Sequence, residues 1–325
     1  MRLAVMQVTA FISALQRLLN FHPHRIKNAK EVCYNNHVCK EVSNMKNGLI
    51  LEGGGMRGAY TCGVLDAFLD YDIETDGVIG VSAGICHGCS YVSKQRERAF
   101  RVMSDYLNDR RYMSMQSLLR TGDLFNAQFV YHTIPEKLNR YDFDTFNRSH
   151  TRLYAVCSNL DSGEAEYIRL IHMEQDVEYV RASASLPLLS RIVELDGKKL
   201  LDGGVSDSIP IRKFQSMGYE KNIVVLTQHE GYRKKKSASI PLIRARYHAY
   251  PHFVAKMEDR HLRYNETLDY LKEQEQQGKV LIIRPKQPVN ISRLEKNVSK
   301  LQALYDEGYE DTAKMISEIR AFLAQ

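Results

Sequence analysis

Short apolar runs recur along the chain, and two of them lead directly into segments of small and apolar residues with helical spacing. Because the runs are short and rich in Val, Ile and Leu, they predict buried β-strands. These strands lie at residues 47–52, 76–81, 152–157 and 222–227. Helices are predicted after the first two strands, at residues 59–69 and 83–92. Both strand-to-helix junctions contain glycine, so the chain is expected to turn sharply there.

The second junction has the G-x-S-x-G pattern of a nucleophilic serine, Gly80-Val81-Ser82-Ala83-Gly84. In this pattern the serine occupies a strained turn between a strand and a helix, and the flanking glycines omit Cβ atoms that would block it. The alternative interpretation is a tight turn without chemistry. The strand before Ser82 and the small-residue helix after it favour the nucleophile, so we expect its hydroxyl to face a cleft.

The first junction is a glycine-rich loop with the sequence Gly53-Gly54-Gly55-Met56-Arg57-Gly58. A loop of this kind that opens a helix presents backbone N–H groups and the helix dipole to an anion. Two anions are candidates: a nucleotide phosphate, and the oxyanion of a tetrahedral acyl intermediate.

The spacing of Gly53, Gly55 and Gly58 formally satisfies the G-x-G-x-x-G dinucleotide fingerprint. That fingerprint also requires an acidic residue at the end of a second strand. Here the acidic residues near the required distance lie in the polar turn that leads into the serine strand, at residues 72–76. A candidate nucleophile on the very next strand therefore favours the oxyanion.

A serine hydroxyl needs a neighbouring base, and Asp202 is the stronger candidate. The chain has 11 histidines, so their number selects none of them. Asp202 follows an apolar run at a predicted strand end, and Gly203 and Gly204 allow the backbone to turn so that the carboxylate faces a shared cleft. An aspartate that accepts the proton directly needs partial desolvation and a raised pKa. The alternative for this Asp-Gly-Gly sequence is a simple hairpin turn.

The three motifs stand in the chain order of the patatin-like phospholipases, and the sequence resembles bacterial members of that family. Residues 49–58, with Gly63-Val64-Leu65 after them, match the opening strand, loop and helix of the family. Residues 182–187 resemble the helix before its aspartate. The resemblance extends from about residue 47 to about residue 228.

The resemblance implies a three-layer α/β/α sandwich related to cytosolic phospholipase A2, with a Ser-Asp dyad in place of a triad. Carried over by position, Ser82 is the nucleophile and Asp202 the proton acceptor. The implied oxyanion hole is formed by Gly53, Gly54, Gly55, Met56, Arg57 and Gly58, and the supporting motif glycines are Gly80, Gly84, Gly203 and Gly204. The implied substrates are lipid acyl esters, in a phospholipase A or lysophospholipase reaction that requires neither a metal nor an organic cofactor.

The chain departs from the family after Asp202, where many relatives have an asparagine before the proline and this chain has Asp207 before Pro210. The departure concerns the hydrogen bonding of the aspartate loop and leaves the dyad intact. One alternative mechanism is a Ser-Asp-His triad that uses His229, which follows a predicted strand beyond Asp202. An alternative from another class is a lipid-binding regulatory protein without turnover, against which the intact motifs argue.

The composition and charge of the chain narrow its function less than the three motifs do. At 325 residues and 44% hydrophobic content, the chain is long enough for one large domain with additions. A net charge of +6 suits contact with an anionic bilayer, and it equally suits many enzymes without membrane contact. Basic and aromatic residues interleave over residues 232–253. This pattern is typical of a surface that docks on anionic lipid headgroups. The alternative, a solvated loop that leads into a helix, is slightly favoured. The expected partner is a lipid substrate at a membrane surface, with no nucleic acid and no metal.

Four of the six cysteines lie in predicted core elements, which argues for a reducing compartment. The predicted location is cytoplasmic, with peripheral contact to the inner face of the membrane. Cys86 and Cys89 form a C-x-x-C spacing, but no second pair exists for a zinc site, so close helix packing is the favoured interpretation.

The predicted organisation is an N-terminal extension at residues 1–44, the patatin-like domain at 45–228 and a mostly helical accessory region at 229–325. The extension is either an over-called start, with Met45 as the true one, or a weak amphipathic segment. In the last region we predict a helix at 254–277, a strand at 279–284 and a helical end at 291–323. Residues 110–125 are apolar enough for a lid or an acyl groove, although such residues more often form core.

Overall fold

An eight-stranded mixed sheet runs through the centre of the computed structural model, which describes residues 46–324. Its strands are β1 (Asn47–Leu51), β2 (Gly77–Val81), β3 (Arg152–Asn159), β4 (Ala165–Leu170), β5 (Val193–Leu195), β6 (Lys198–Asp202), β7 (Lys221–Val225) and β8 (Val280–Ile283). They are ordered β5-β6-β3-β2-β1-β7-β8, and β4 also pairs with β3. The strands β3, β2, β1, β7 and β8 are neighbours in this order and run parallel. Both β4 and β6 run antiparallel to β3, and β5 runs antiparallel to β6.

Helices cover both faces of this sheet. They are α1 (Ala59–Asp70), α2 (Ala83–Val92), α3 (Arg98–Ser104), α4 (Met115–Thr121), α5 (Phe143–Asn147), α6 (Met173–Ser183), α7 (Ile211–Ser216), α8 (Ile240–Arg246), α9 (Pro251–Gln276) and α10 (Val298–Ala324). A π-helical segment spans Phe129–Leu138, and 3₁₀ turns span Gly55–Gly58 and Gly203–Val205. Within the described residues, no helix is both long and apolar enough to cross a membrane.

Side chains alternate between the two faces of the central strands, as strand geometry requires. Leu49 and Leu51 of β1 pack into the larger core with α1, α2 and α10, whereas Ile50 packs into a second core with α7 and α9. The three-layer α/β/α prediction is therefore confirmed. The strands β1, β2 and β3 lie where the apolar runs predicted them, and the hairpin from β3 to β4 turns at residues 160–164.

The C-terminal region differs from the sequence-based expectation in two respects. Its strand β8 pairs with β7 and so extends the same sheet, and its last helix begins at Val298 rather than near residue 291. Residues 284–297 consequently form an irregular segment before α10. The extension predicted at residues 1–44, together with Cys33 and Cys39, lies outside the described residues.

The helices α1 and α10 pack at backbone distance. A Cβ atom at Gly308 of α10 would overlap the carbonyl oxygen of Tyr60, because the two backbones touch there. Tyr305 of α10 donates a 2.8 Å hydrogen bond to Asp66 of α1, and Tyr60 donates one of 3.3 Å to Asp311. The helix α10 is thus held against α1 by the close backbone contact at Gly308 and by buried hydrogen bonds between polar side chains.

Replacing Gly308 with alanine should force these two helices apart. We expect Gly308→Ala to lower the free energy of unfolding by about 1–3 kcal/mol, as overpacking of a tight contact does, measured by urea denaturation. Lys314→Ala, at an exposed position of the same helix, is the control and should change it by less than about 0.5 kcal/mol. Equal effects of the two substitutions would show that the close approach does not matter.

Candidate active site

Ser82 occupies the turn between β2 and α2 in a backbone conformation that side chains rarely adopt. Its φ is 55° and its ψ is −126°, and only 8% of its surface is exposed. The strain is held by the surroundings: the Ser82 N–H donates a 3.1 Å hydrogen bond to Ser183 Oγ, which in turn donates 2.6 Å to the carbonyl of Val156. Ser183 ends α6, so the helix before the aspartate hairpin supports the serine turn.

Two glycines let the surrounding backbone approach this turn. A Cβ on Gly84 would overlap the carbonyl oxygen of Leu51 at the end of β1. A Cβ on Gly53 would lie 2.7 Å from the Ser82 Cβ, so any larger residue there would push the glycine-rich loop away from the serine. The motif glycines Gly80, Gly203 and Gly204 are buried in the same group of turns.

The register of the sheet brings Asp202 beside Ser82. Val81 pairs with Val156 on β3, so Ser82 follows level with Cys157. Cys157 pairs on its other side with Asp202, the last residue of β6. The strand β6 is antiparallel to β3 and ends opposite Cys157, near the carboxyl end of β3. The carboxyl end of β6 therefore lies at the level of the serine turn. The Asp202 N–H donates 2.8 Å to the carbonyl of Ser185, which follows α6.

The Asp202 carboxyl is buried, with 3% exposure, and only half satisfied. Its Oδ1 accepts a 2.8 Å hydrogen bond from the Gly204 N–H, whereas Oδ2 has no hydrogen bond of standard geometry within the described residues. Burial raises the pKa of Asp202 above its ordinary value, and the neighbouring Ser82 hydroxyl and Arg260 oppose that rise. The Ser82 hydroxyl is thus a neighbour of the Asp202 carboxyl, and no hydrogen bond of standard geometry joins the two in the described structure. Hydrogen bonds between catalytic groups commonly tighten only when substrate binds.

The glycine-rich loop lies against both Ser82 and the irregular segment before α10. Residues Gly55–Gly58 form a 3₁₀ turn, and Gly55 has a φ of 58°. The Met56 N–H donates 3.1 Å to the carbonyl of Arg293, so this one N–H of the predicted oxyanion hole is already occupied. The N–H groups of Gly53 and Gly54 have no backbone acceptor in the described structure, and both glycines line a small cavity that Ser82 also lines.

Glu52 anchors this loop, and the sequence motifs did not single it out. Its buried carboxylate accepts hydrogen bonds from the N–H and hydroxyl of Thr227, at 2.7 and 3.0 Å. It also accepts 2.7 Å from the Tyr264 hydroxyl, which links the end of β1 to α9. An acidic residue at the end of an apolar strand was the available signal, because buried carboxylates are rare without partners.

Three cations from the last third of the chain also line the site: Lys234, Arg260 and Arg293. They share a cavity of about 30 Å³ with Ser82 and Asp202, and it adjoins a larger one of about 510 Å³ lined by the same cations and Asp202. Arg260 lies on α9 and Arg293 on an irregular segment, and neither belongs to a local motif. No sequence pattern therefore pointed to them.

A second, mostly apolar cavity is also lined by Ser82. It has a volume of about 120 Å³, and Tyr112 and Phe125 are among its lining residues. A further cavity of about 270 Å³ shares Cys86 and Tyr131 with it. The segment at residues 110–125 thus contributes both lining and core, since Tyr112 is buried. Within the same segment, Leu119 of α4 is 83% exposed.

Two other predicted features lie elsewhere. His229 lines a separate cavity with Tyr232 and Arg284, and it does not line any of the cavities around Ser82. Arg233 of the tetrabasic run forms an ion pair with Asp269 of α9.

The buried or partly buried cysteines of the described structure are free thiols: Cys62, Cys86, Cys89 and Cys157. Among residues 46–324, no cluster of three or more His, Cys, Asp or Glu side chains is placed to bind a metal.

Two family models match the chain. The model described as "Patatin-like phospholipase" matches residues 49–214, about half of the chain, and includes the glycine-rich loop, Ser82 and Asp202. The model described as "Domain of unknown function (DUF6363)" matches residues 250–324, which include Arg260, Tyr264 and Arg293. The residues around Ser82 therefore come from both matched regions.

Several curated proteins are similar over part of their length. The uncharacterized protein YjjU of Escherichia coli K12 is 28% identical over 183 residues, 55% of this chain and 51% of YjjU. Lysophospholipase nte1 of Emericella nidulans is 32% identical over 178 residues, 53% of this chain and 11% of that protein. Lysophospholipase NTE1 of Cryptococcus neoformans is 27% identical over 194 residues, which are 58% of this chain and 12% of that protein. The chain thus matches about half the length of YjjU and about a tenth of the lysophospholipases.

Among solved structures, VipD from Legionella pneumophila is similar at a TM-score of 0.44 and 12% identity, covering 84% of this chain and 67% of VipD.

The Glu52–Tyr264 hydrogen bond should contribute measurably to stability. We expect Tyr264→Phe to lower the free energy of unfolding by about 1.5–3 kcal/mol, because it removes the hydrogen-bond donor of Glu52 Oε1 in a buried carboxylate and keeps the ring. Tyr270→Phe is the matched control on the same helix, since Tyr270 donates 2.7 Å to the neutral Gln215 side chain. It should cost about 0.5–1.5 kcal/mol. Urea denaturation of both variants measures the difference, and equal losses would contradict the role given to Glu52.

Proposed function

Since the chain belongs to the patatin-like phospholipase family, we propose that it is a serine acyl hydrolase that cleaves fatty-acyl esters of lipids through Ser82 and Asp202. The observation that carries the proposal is the strained Ser82 turn beside a buried Asp202 whose Oδ2 has no standard hydrogen bond. A buried polar atom without a partner calls for an explanation, and a waiting proton acceptor provides one. The names of the two lysophospholipase relatives favour a lysophospholipase or phospholipase A reaction.

In the proposed reaction, Ser82 Oγ attacks the ester carbonyl carbon while its proton passes to Asp202 Oδ2. The carbonyl oxygen becomes an oxyanion, which the free N–H groups of Gly53 and Gly54 receive as hydrogen-bond donors. The intermediate collapses, the C–O bond to the alcohol breaks, and Asp202 returns the proton to the leaving oxygen. Water then attacks the acyl-serine ester while Asp202 accepts one of its protons. The C–O bond to Ser82 breaks, Asp202 returns the proton to Ser82 Oγ, and the fatty acid leaves.

The environment of Asp202 suits a base without a histidine. An ordinary aspartate is too weakly basic to take a proton from a serine at useful rates, and burial moves its pKa in the required direction. Burial of the Ser82 turn also limits competing water. The unpaired thiols agree with the reducing, cytoplasmic location that the cysteine pattern predicts.

Removing either member of the dyad should abolish hydrolysis. We expect Ser82→Ala and Asp202→Asn each to lower kcat/KM by about a thousandfold or more, because one loses the nucleophile and the other its proton acceptor. The measurement is product release from a medium-chain p-nitrophenyl ester and from mixed phospholipid vesicles, with urea denaturation to verify folding.

His229→Ala is the matching test of the triad alternative and should retain near-normal rates, since His229 lies in a separate cavity. A thousandfold loss in His229→Ala would replace the dyad with a triad. Wild-type protein that binds vesicles without turnover would favour the lipid-binding regulatory protein.

The raised pKa of Asp202 should set the acid limb of the pH profile. Asp202 must be ionised to accept a proton, so we expect kcat/KM on the p-nitrophenyl ester to fall as pH decreases through that pKa. Its midpoint should lie above the ordinary aspartate value of 3.8, because burial disfavours the carboxylate. Circular dichroism at each pH separates this effect from unfolding. A midpoint at or below 3.8 would mean that Asp202 is not the desolvated base.

A further inference from the structure

The larger cavity near Ser82 has both apolar and charged lining residues, and nearly all of the charged ones are cations. Lys234, Arg260 and Arg293 line it, and Arg233, Lys235 and His261 add to its rim. Asp202 is the one acidic residue among its lining residues in the described structure. A cavity of one sign of charge, with partly buried walls, concentrates ligands of the opposite sign.

The side chains of the three inner cations form no ion pair in the described structure, although Asp202 and Glu52 lie near enough to act on them electrostatically. Within residues 46–324, the side chains of Arg260 and Arg293 make no hydrogen bond or ion pair, and the Nε of Arg260 is shielded from solvent without a partner. The ammonium of Lys234 lies 3.9 Å from the ring centre of Tyr264, a cation–π contact that leaves its N–H donors free. Partly buried guanidinium groups are normally paired, so these are donors without an acceptor.

These side chains extend from anchored backbone. The Arg293 carbonyl accepts the Met56 N–H at 3.1 Å, which attaches the irregular segment to the glycine-rich loop. Arg260 lies on α9, which is held by the 2.7 Å bond from Tyr264 to Glu52 and the 2.8 Å bond from Arg263 to the Val205 carbonyl. Such preorganisation lowers the entropy cost of binding an anion.

The electrostatic consequences are visible in the same groups. Burial, together with the neighbouring Arg260 and Arg293, lowers the pKa of Lys234 to about 7. Burial and Arg293 lower the pKa of Arg260 to about 10. Asp202 and then Glu52 oppose the shift of Arg260, and Glu52 opposes that of Lys234, without cancelling either. A bound anion would relieve the remaining repulsion.

The position of the cations relative to Ser82 identifies which part of a lipid they would meet. Ser82 lines both the small polar cavity that they share and the apolar cavity that contains Tyr112. An ester held at Ser82 with its acyl chain on the apolar side would therefore direct its alcohol portion toward the cations. In a glycerolipid, that portion carries the headgroup.

The geometry points to a phosphate subsite formed by Lys234, Arg260 and Arg293, which selects acyl esters whose headgroup is a phosphate with net negative charge. This inference rests on the proposed acyl hydrolase function. Guanidinium groups bind phosphate oxygens through paired N–H donors. A choline headgroup would add an ammonium to a cavity that already holds unpaired cations, so zwitterionic lipids are expected to be poorer substrates.

The test compares three substrates with the same acyl chain, all below their critical micelle concentrations: 1-acylglycerol 3-phosphate, 1-acylglycerophosphocholine and 1-acylglycerol. For the wild type we expect kcat/KM on the phosphate ester to exceed that on the choline ester at least tenfold. Arg260→Gln and Arg293→Gln should each reduce the ratio of phosphate ester to 1-acylglycerol about tenfold or more, chiefly through KM. A ratio is used because Arg260 also acts on the pKa of Asp202.

Arg246→Gln is the matched control, because it removes the same charge from an exposed position outside the cavity and should leave the ratio unchanged. Inorganic phosphate should inhibit hydrolysis of the phosphate ester competitively, and less so in Arg293→Gln. If phosphate binds without competing with the lipid, the cations form a separate anion site and the headgroup inference is wrong. A wild type without preference for the phosphate ester, or unchanged ratios in both variants, would also overturn it.

The two proposals fail differently. If wild-type protein leaves the p-nitrophenyl ester, the phospholipid vesicles and the three lipid substrates all intact, the acyl hydrolase proposal fails. The subsite is then tested by binding of 1-acylglycerol 3-phosphate to Ser82→Ala protein in a calorimeter. Binding that Arg260→Gln weakens at least tenfold would support the subsite alone. If hydrolysis of the p-nitrophenyl ester is normal and sensitive to Ser82→Ala, failure of the headgroup ratios concerns only the phosphate subsite.

Discussion

The whole site depends on one strained turn, in which Ser82 is held at a φ of 55° between β2 and α2. A serine in this conformation persists only if its surroundings compensate for the strain. The compensation comes from the hydrogen bond to Ser183 and from the close approach of Gly53 and Gly84, where side chains would collide. The Ser82 conformation is therefore maintained by the contacts with Ser183, Gly53 and Gly84.

Chain segments far apart in sequence converge on that turn. The glycine-rich loop follows β1, Asp202 ends the antiparallel strand β6, and Arg260 comes from α9. The Glu52–Tyr264 hydrogen bond and the bond from Met56 to the Arg293 carbonyl connect the N-terminal and C-terminal contributions. The C-terminal region, which extends the sheet with β8, is in this way part of the site's construction as well as of the fold.

The electrostatics of the site follow from an imbalance of buried charge. Glu52 accepts its hydrogen bonds from Thr227 and Tyr264 and forms no ion pair with Lys234 or Arg260, although its charge acts on both. Asp202 keeps one oxygen unpaired. Unpaired buried groups lower the stability of a fold. In the proposed function, their counterpart is an Asp202 of raised pKa that accepts a proton beside a region of positive charge.

The sequence by itself determined the local elements: the strands β1, β2 and β3, the helices after the first two, and the three glycine-containing motifs with Ser82 and Asp202. These are readable because strand and helix periodicity and glycine's conformational freedom act over a few residues. Only the tertiary structure decided that β6 runs antiparallel to β3, which sets Asp202 level with Ser82, and that Lys234, Arg260 and Arg293 line the same cavity. Strand direction and side-chain convergence depend on contacts between distant segments, so no local pattern encodes them.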